Sequence, residues 1–72
     1  MAQVTFFDRI TMNTGVMEGK ATIRDTNFLA ATILLLMAEG NSKQEILQQH
    51  PFLVEEDITA TLKFAVKLLK NK

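Results

Sequence analysis

Residues 40–70, GNSKQEILQQHPFLVEEDITATLKFAVKLLK, carry most of the signals that decide the fold. Ser42 is followed three residues later by Glu45, which is the pattern of a capping box. In that motif the serine hydroxyl accepts a hydrogen bond from the third helical amide, and the glutamate side chain accepts one from the serine amide. The pattern predicts a short helix over 43–49. This helix must end before Pro51, because the proline ring disfavours helical backbone at the preceding residue.

A longer helix is predicted over residues 55–70, where apolar side chains recur at helical spacing. Residues 51–54 form a short turn between this helix and the preceding one. Two helices joined in this way are compatible with a helix-turn-helix. The residues that mark the inner face of the longer helix are Ile58, Thr61, Leu62, Ala65, Leu68 and Leu69.

Another helix is predicted over residues 27–39. Thr26 or Asp25 can cap its first amides, and Gly40 stands where a helix end favours a residue that tolerates left-handed backbone. Residues 28–38 are apolar on almost every side, and a helix without a polar face is buried all round. It is therefore either a central core helix or a helix that is part core and part dimer interface. The interface residues expected in the second case are Leu29, Ile33, Leu35 and Leu36.

The first part of the chain is predicted to form a short β-hairpin. Residues 5–12 mix β-branched and aromatic side chains, and residues 21–24 alternate as strands do. The connection between them contains two glycines that can supply positive φ. The predicted fold is mainly α with a short N-terminal β-hairpin, in one domain that has a hairpin arm over 1–26 and a three-helix, helix-turn-helix region over 27–70.

Composition narrows the class of protein. A chain of 72 residues buries only about 60% of its unfolded surface, so its core is marginal on its own. Without cysteine it has no disulfide, and the single histidine does not suffice for a metal site, so oligomerisation is the favoured source of extra stability. The net charge is zero, which disfavours a free-standing DNA-binding protein. The longest apolar stretch is far short of the about 20 residues of a membrane span, and a cytoplasmic location is expected.

Three short segments resemble catalytic or ligand-binding motifs but have simpler explanations. Glu55, Glu56 and Asp57 point in three directions from a helix, so they complement the positive end of its dipole better than they would hold a metal. His50 precedes a proline at a helix end, where a capping or turn role outweighs a catalytic one. Residues 15–20 lack the spacing of a phosphate-binding loop. We therefore expect no enzyme activity, no metal and no cofactor.

The order of residues resembles the domain-of-unknown-function family four-three-three, over roughly residues 9–69. The resemblance begins with the hairpin residues Ile10-Thr11, Gly15-Val16, Gly19-Lys20, Ile23-Arg24 and Thr26. It continues through Ala31-Thr32-Ile33-Leu34, Ala38-Glu39-Gly40, Ser42, Glu45-Ile46-Leu47, Pro51 and Leu53, and closes with Glu56-Asp57-Ile58, Ala60, Leu62 and Ala65.

The resemblance implies a homeodomain-like or winged helix-turn-helix module, usually dimeric, that is related to antitoxins. Such proteins are commonly paired with a small PIN-like ribonuclease toxin. The implied function is an antitoxin that binds its toxin and, as a DNA-binding dimer, represses its own operon. The alternative is a protein-interaction module, such as a small dimeric adaptor, that does not bind DNA.

If DNA is bound, the last helix would lie in a major groove. The candidates on its exposed face are Thr59, Lys63 and Lys67, and the expected phosphate contacts are Lys20, Arg24 and Lys43. Glu55 and Glu56 stand where such a helix first meets DNA and would repel phosphate. The charge pattern therefore favours the adaptor, whereas the helical outline favours the DNA-binding protein.

Overall fold

The computed structural model describes residues 3–70. The ends of the expected single domain, residues 1, 2, 71 and 72, lie outside the described residues. The elements in chain order are β1 (Gln3–Phe6), β2 (Ile10–Asn13), a 3₁₀ turn (Met17–Gly19), β3 (Ala21–Ile23), α1 (Ala30–Ala38), α2 (Lys43–Gln49) and α3 (Glu55–Lys70).

The N-terminal region is a three-stranded antiparallel sheet in the order β1-β2-β3, so the expected two-stranded hairpin is wrong. The stretch predicted as one strand over 5–12 turns back on itself, which brings Phe6 opposite Ile10. Phe7 and Asp8 make this turn with φ of 54° and 62°. Asp8 is a residue type that favours turns and tolerates left-handed backbone, whereas Phe7 is not, so the sequence signal for this turn is weak. The second reversal lies in the expected place, and Gly19 has φ +85° there.

α1 starts three residues later than predicted. The expected caps, Thr26 and Asp25, do not cap it, and Leu29 precedes the helix without a side-chain hydrogen bond. The intervening loop bonds back to β3, because the Ile23 amide donates to the Phe28 carbonyl at 3.0 Å. Thr26 Oγ1 accepts from the amide of Phe28 at 3.1 Å. The loop therefore continues the edge of the sheet and occupies the residues predicted as the first helical turn.

The other helix ends follow the sequence signals. Gly40 has φ +100° and its amide donates to the Met37 carbonyl, while the Asn41 amide donates to the Leu36 carbonyl; these two bonds form a Schellman motif. The capping box of α2 is present, with Glu45 N to Ser42 Oγ at 3.1 Å and Ser42 N to Glu45 Oε1 at 2.7 Å. The bounds of α2 and α3 are those predicted.

The core lies between one face of the sheet and the three helices. Ile10 and Ile23 are registered opposite each other on β2 and β3 and are fully buried. The helices contribute Ala30, Ile33, Ile46, Ile58, Ala60 and Phe64 to the same cluster. On the other face of the sheet, the hydroxyls of Thr11 and Thr22 hydrogen-bond at 3.1 Å. Three helices are thus held on a small sheet, with α2 and α3 joined by the short turn that the sequence predicts.

Candidate functional site

Asp57 is a fully buried carboxylate at the start of α3. It lies on the same helix face as Thr61 and Phe64, which are four and seven residues further on and are also buried. An acid at this position faces the core, and a buried charge is costly unless it is paired and hydrogen-bonded. The surroundings of Asp57 therefore determine whether this end of the molecule is stable.

Two arginines and one backbone amide saturate this carboxylate. Arg24 donates from Nε to Oδ1 at 3.2 Å and from Nη2 to Oδ2 at 3.0 Å, in the forked geometry that suits a carboxylate. Arg9 Nη1 donates to Oδ1 at 3.1 Å, and the Val54 amide donates to Oδ2 at 3.0 Å. The Nη2 atom of Arg24 also donates to the Phe52 carbonyl at 3.0 Å. The cluster ties the sheet to the turn that precedes α3.

The sheet turns place both arginines at the same end of the molecule. Arg9 ends the β1–β2 turn and Arg24 follows β3, and the Arg24 amide donates to the Arg9 carbonyl at 2.7 Å. Arg24 and Asp25 adopt φ of 50° and 59°, a region that costs a non-glycine residue about 1 kcal/mol. The Asp25 amide donates to Thr11 Oγ1 at 2.9 Å, which helps to hold this turn.

The pKa of Asp57 is set by opposing influences. Burial raises it, but hydrogen bonds from the Val54 amide, Arg24 and Arg9, together with the charge of Arg24, bring the pKa below its usual value of 3.8. The carboxylate is therefore ionised at neutral pH. The side chains of Arg9 and Arg24 retain 32% and 40% of their exposure, so part of each guanidinium is accessible to solvent.

A cleft of about 310 Å³ lies beside this cluster, between the β1–β2 turn and the outer face of α3. It brings together two of the predicted DNA-binding residues, Thr59 and Lys63, with Arg9. Glu56 and Asp8 line the same cleft, so it carries both positive and negative groups. The complete lining is Phe7, Asp8, Arg9, Glu56, Thr59, Ala60 and Lys63.

The other predicted DNA-binding residues do not gather at this cleft. The guanidinium of Arg24 is held by Asp57 and the Phe52 carbonyl. Lys20 lies in the sheet region, Lys43 at the start of α2 and Lys67 near the end of α3, and all three are exposed. Arg24 and Arg9 both form ion pairs with Asp57. The six candidates thus lie on several sides of the molecule.

His50 has the structural role expected from the sequence. It ends α2, and its amide donates to the Ile46 carbonyl at 2.9 Å. Its ring packs against Phe28, with centroids 4.8 Å apart, and Phe28 packs edge-on against Phe52 at 5.3 Å. This aromatic group supports the turn whose carbonyl accepts from Arg24.

An apolar groove of about 280 Å³ opens at the opposite end of α3. Lys20 is the charged residue at its border, and Leu68, which lines it, is 56% exposed. Met12 pairs with Ala21 on one side and with Val4 on the other, so a row of apolar strand residues continues from the groove. The residues of the apolar groove are Ala21, Leu29, Ala30, Ala31, Leu34, Phe64 and Leu68.

The four residues expected at a dimer interface occupy different environments. Leu29 lines the apolar groove. Ile33 is fully buried in the core of its own chain, and Leu36 is half-buried against that core. Leu35 is 58% exposed and is not among the groove residues. α1 is therefore part core and part exposed apolar surface.

Sequence reasoning missed the partnership of Asp57 with Arg9. From the sequence alone, Asp57 is one of three acids that complement the helix dipole. Its spacing from Thr61 and Phe64 was the available signal, because it places the carboxylate on the buried face. No local signal pointed to Arg9, which is 48 residues away in sequence.

Among the described residues, no three or more His, Asp or Glu side chains are grouped so that they could bind a metal ion. None of the helices in residues 3–70 has the length and apolar character needed to cross a membrane. The sequence profile of the family described as "Protein of unknown function (DUF433)" matches residues 10–65. No curated protein and no solved structure is significantly similar to the chain.

Proposed function

Because the chain belongs to the DUF433 family, whose function is not known, we propose from its surfaces that it is an antitoxin-like binding protein and not an enzyme. Its principal partner is another protein chain, which docks in the apolar groove. The partner that the family resemblance suggests is a PIN-like ribonuclease toxin encoded beside it.

The observation that carries this proposal is the apolar groove at the end of α3. Small side chains such as Ala21 and Ala31 line it and allow a partner's backbone to approach closely. Leu69, which follows Leu68 on α3, is 73% exposed. An apolar groove with exposed apolar side chains at its border supports a site of protein interaction.

The test is co-purification of this chain with the product of the adjacent gene, followed by calorimetry. We expect Leu68→Asp to weaken the complex at least tenfold, because it places a charge in an apolar contact. Leu35→Asp is the matched control, since Leu35 is similarly exposed and does not line the groove. Equal affinity of wild type and Leu68→Asp would exclude the groove as the binding site.

A second candidate function is operator binding through α3. The observation in its favour is that Thr59 and Lys63 share the cleft with Arg9, so a polar and two basic groups are available at one place. Glu56 in the same cleft opposes it. In this proposal the dimer, alone or with the toxin, represses its own operon.

DNA binding is tested by a mobility shift with the promoter region upstream of its own gene, with and without the neighbouring protein. We expect Lys63→Ala to weaken binding and Glu56→Gln to strengthen it, because the first removes and the second adds net positive charge. If no mobility shift is seen at low salt with or without the neighbouring protein, DNA binding is excluded and protein binding remains the proposed function.

A further inference from the structure

The cleft beside the Asp57 cluster contains two cations and two carboxylates that are not paired with one another. Arg9 and Lys63 are the cations, and Asp8 and Glu56 are the carboxylates. Arg9 pairs instead with the buried Asp57. Within the described range 3–70, no ion pair involves Lys63, Asp8 or Glu56. The cleft therefore offers groups of both signs to a ligand.

Arg9 is held by a buried group and still has donors to spare. Its Nη1 atom donates to Asp57 Oδ1 at 3.1 Å, whereas a guanidinium carries five N–H donors. Arg24 uses its donors more fully, since it binds both oxygens of Asp57 and the Phe52 carbonyl. The side chain of Arg9 is 32% exposed and lines the cleft. Its remaining donors are therefore available to a ligand there.

One face of α3 forms the opposite wall of the cleft. Glu56, Thr59, Ala60 and Lys63 line it, and their spacing of three, four and seven residues places them on one helix face. Thr59 has Glu56 one turn before it and Lys63 one turn after it, and residues at these separations are neighbours on a helix. A small ligand above Thr59 thus has a carboxylate on one side and an ammonium group on the other.

We propose that this cleft binds a free amino acid in its zwitterionic form. The carboxylate of the ligand accepts hydrogen bonds from Arg9, Lys63 and the Thr59 hydroxyl. The ammonium group of the ligand pairs with Glu56 and Asp8. A zwitterion satisfies both sets of charges at once, which a ligand with a single charge does not.

The uncharged part of the lining favours an amino acid with an apolar side chain. The ring of Phe7 is 45% exposed and borders the cleft, and the buried Ala60 contributes a methyl group. The volume of about 310 Å³ is at the small end of the range for ligand pockets, which is about 300–1,000 Å³. Phenylalanine and leucine are therefore suitable probes.

The cleft is separate from the apolar groove, because the two share no lining residue. The inference therefore goes beyond the proposed binding of a protein chain in the groove. Asp8 and Glu56 also oppose a nucleic acid at this place, because its backbone carries a dense row of negative charges. An amino acid in the cleft would cover Thr59 and Lys63 and so compete with operator binding through α3.

The test is a titration of ¹⁵N-labelled protein with millimolar phenylalanine, leucine or glycine, followed by NMR. We expect phenylalanine and leucine to shift the backbone amide signals of Arg9, Thr59 and Lys63 in a saturable way, and glycine to bind more weakly. Two further probes each lack one charge of phenylalanine: 3-phenylpropionate lacks the ammonium group, and phenethylamine lacks the carboxylate. Each should bind at least tenfold more weakly than phenylalanine.

Variants of the two exposed charges on α3 test the two ends of the ligand. Lys63→Ala and Glu56→Gln should each weaken phenylalanine binding at least tenfold. The matched controls are Lys67→Ala and Glu55→Gln, which change exposed side chains of the same helix that do not line the cleft, and both should bind as wild type does. Glu56→Gln is expected to strengthen DNA binding, so the opposite signs separate the two ligands.

Several results would overturn the inference. These are no saturable shift with any of the three amino acids, equal affinity for phenylalanine and a probe of single charge, and unchanged affinity of Lys63→Ala or Glu56→Gln. Shifts confined to groove residues such as Leu68 would overturn it as well. Leu68→Asp should bind phenylalanine as wild type does. If amino-acid binding fails while Leu68→Asp still weakens the complex with the adjacent gene product, the proposed function stands without the inference.

Discussion

The two ends of α3 differ in how completely their side chains are covered and paired. At its start, a buried carboxylate accepts four hydrogen bonds, from Arg9, Arg24 and Val54, and in residues 3–70 no buried side-chain nitrogen or oxygen lacks a partner. At its far end, the apolar groove is open and Leu68 remains 56% exposed. The difference indicates that the start of the helix supports the fold, whereas the far end is available for binding. Substitutions at the two ends should therefore affect different properties.

The largest effect on stability is expected from Asp57→Asn. The substitution removes the charge that compensates Arg9 and Arg24 and places an amide N–H₂ group among donors. Breaking a buried ion pair by removing one partner costs about 3 kcal/mol or more. Chemical denaturation should show this loss in the free energy of unfolding. A loss below about 1 kcal/mol would mean that the cluster does not support the fold.

A smaller and graded effect is expected when the two arginines are removed separately. Arg24→Ala loses the forked pair and the bond to the Phe52 carbonyl, whereas Arg9→Ala loses one bond. Charged hydrogen bonds contribute about 1.5–3 kcal/mol when well made, and partial exposure reduces this here. We expect about 2 kcal/mol for Arg24→Ala and about 1 kcal/mol for Arg9→Ala in urea unfolding. The reverse order would contradict the geometry of the fork.

Acid should reduce the stability that the Asp57 cluster gives to the start of α3. The pKa of Asp57 in the folded protein is below its usual value of 3.8, so the ionised carboxylate contributes fully to the free energy of unfolding above that pH. As the pH falls below 3.8, Asp57 is protonated first in the unfolded chain. The stabilisation decreases from there and is lost when the pH falls below the pKa of the folded protein. The stability difference between wild type and Asp57→Asn should therefore narrow on acidification. A difference that is constant from pH 6 down to about pH 2 would contradict this.

The smallest effect on stability is expected at the end of α3 that borders the apolar groove. Leu68→Ala removes methyl groups from a side chain that is more than half exposed, and surface substitutions usually change stability by less than about 0.5 kcal/mol. The same variant should nevertheless weaken binding of the product of the adjacent gene in calorimetry. A large loss of stability without a loss of binding would show that Leu68 belongs to the core.

The helices could be predicted well where their signals are local. The capping box at Ser42 and the proline at 51 fixed the bounds of α2, and apolar spacing fixed those of α3. The sheet could not be predicted in the same way, because Phe7 adopts left-handed backbone without being a typical turn residue, and Asp8 alone is a weak turn signal. Their conformation depends on tertiary contacts, which the sequence of the turn does not reveal.

The candidate site shows the same division. The apolar character of residues 28–38 predicted either a core helix or one that is part core and part dimer interface, and Leu29 lines the apolar groove. The rest of the groove comes from β3 and α3, so its shape depends on how three elements pack. Asp57 is 33 residues from Arg24 in sequence, and no periodic pattern connects residues at that separation.

The long sequence separation within the Asp57 cluster also bears on how the chain folds. The turns that end β1 and β3 contain residues in disfavoured conformations, and the arginines of those turns bond to a carboxylate in the last helix. The sheet therefore gains much of its stability only after α3 has docked. Contacts between residues far apart in sequence are associated with slow folding. Hydrogen exchange should show the β2–β3 amides opening together with those of α3 as one cooperative unit. A fragment that ends before α3 should then lack a persistent sheet.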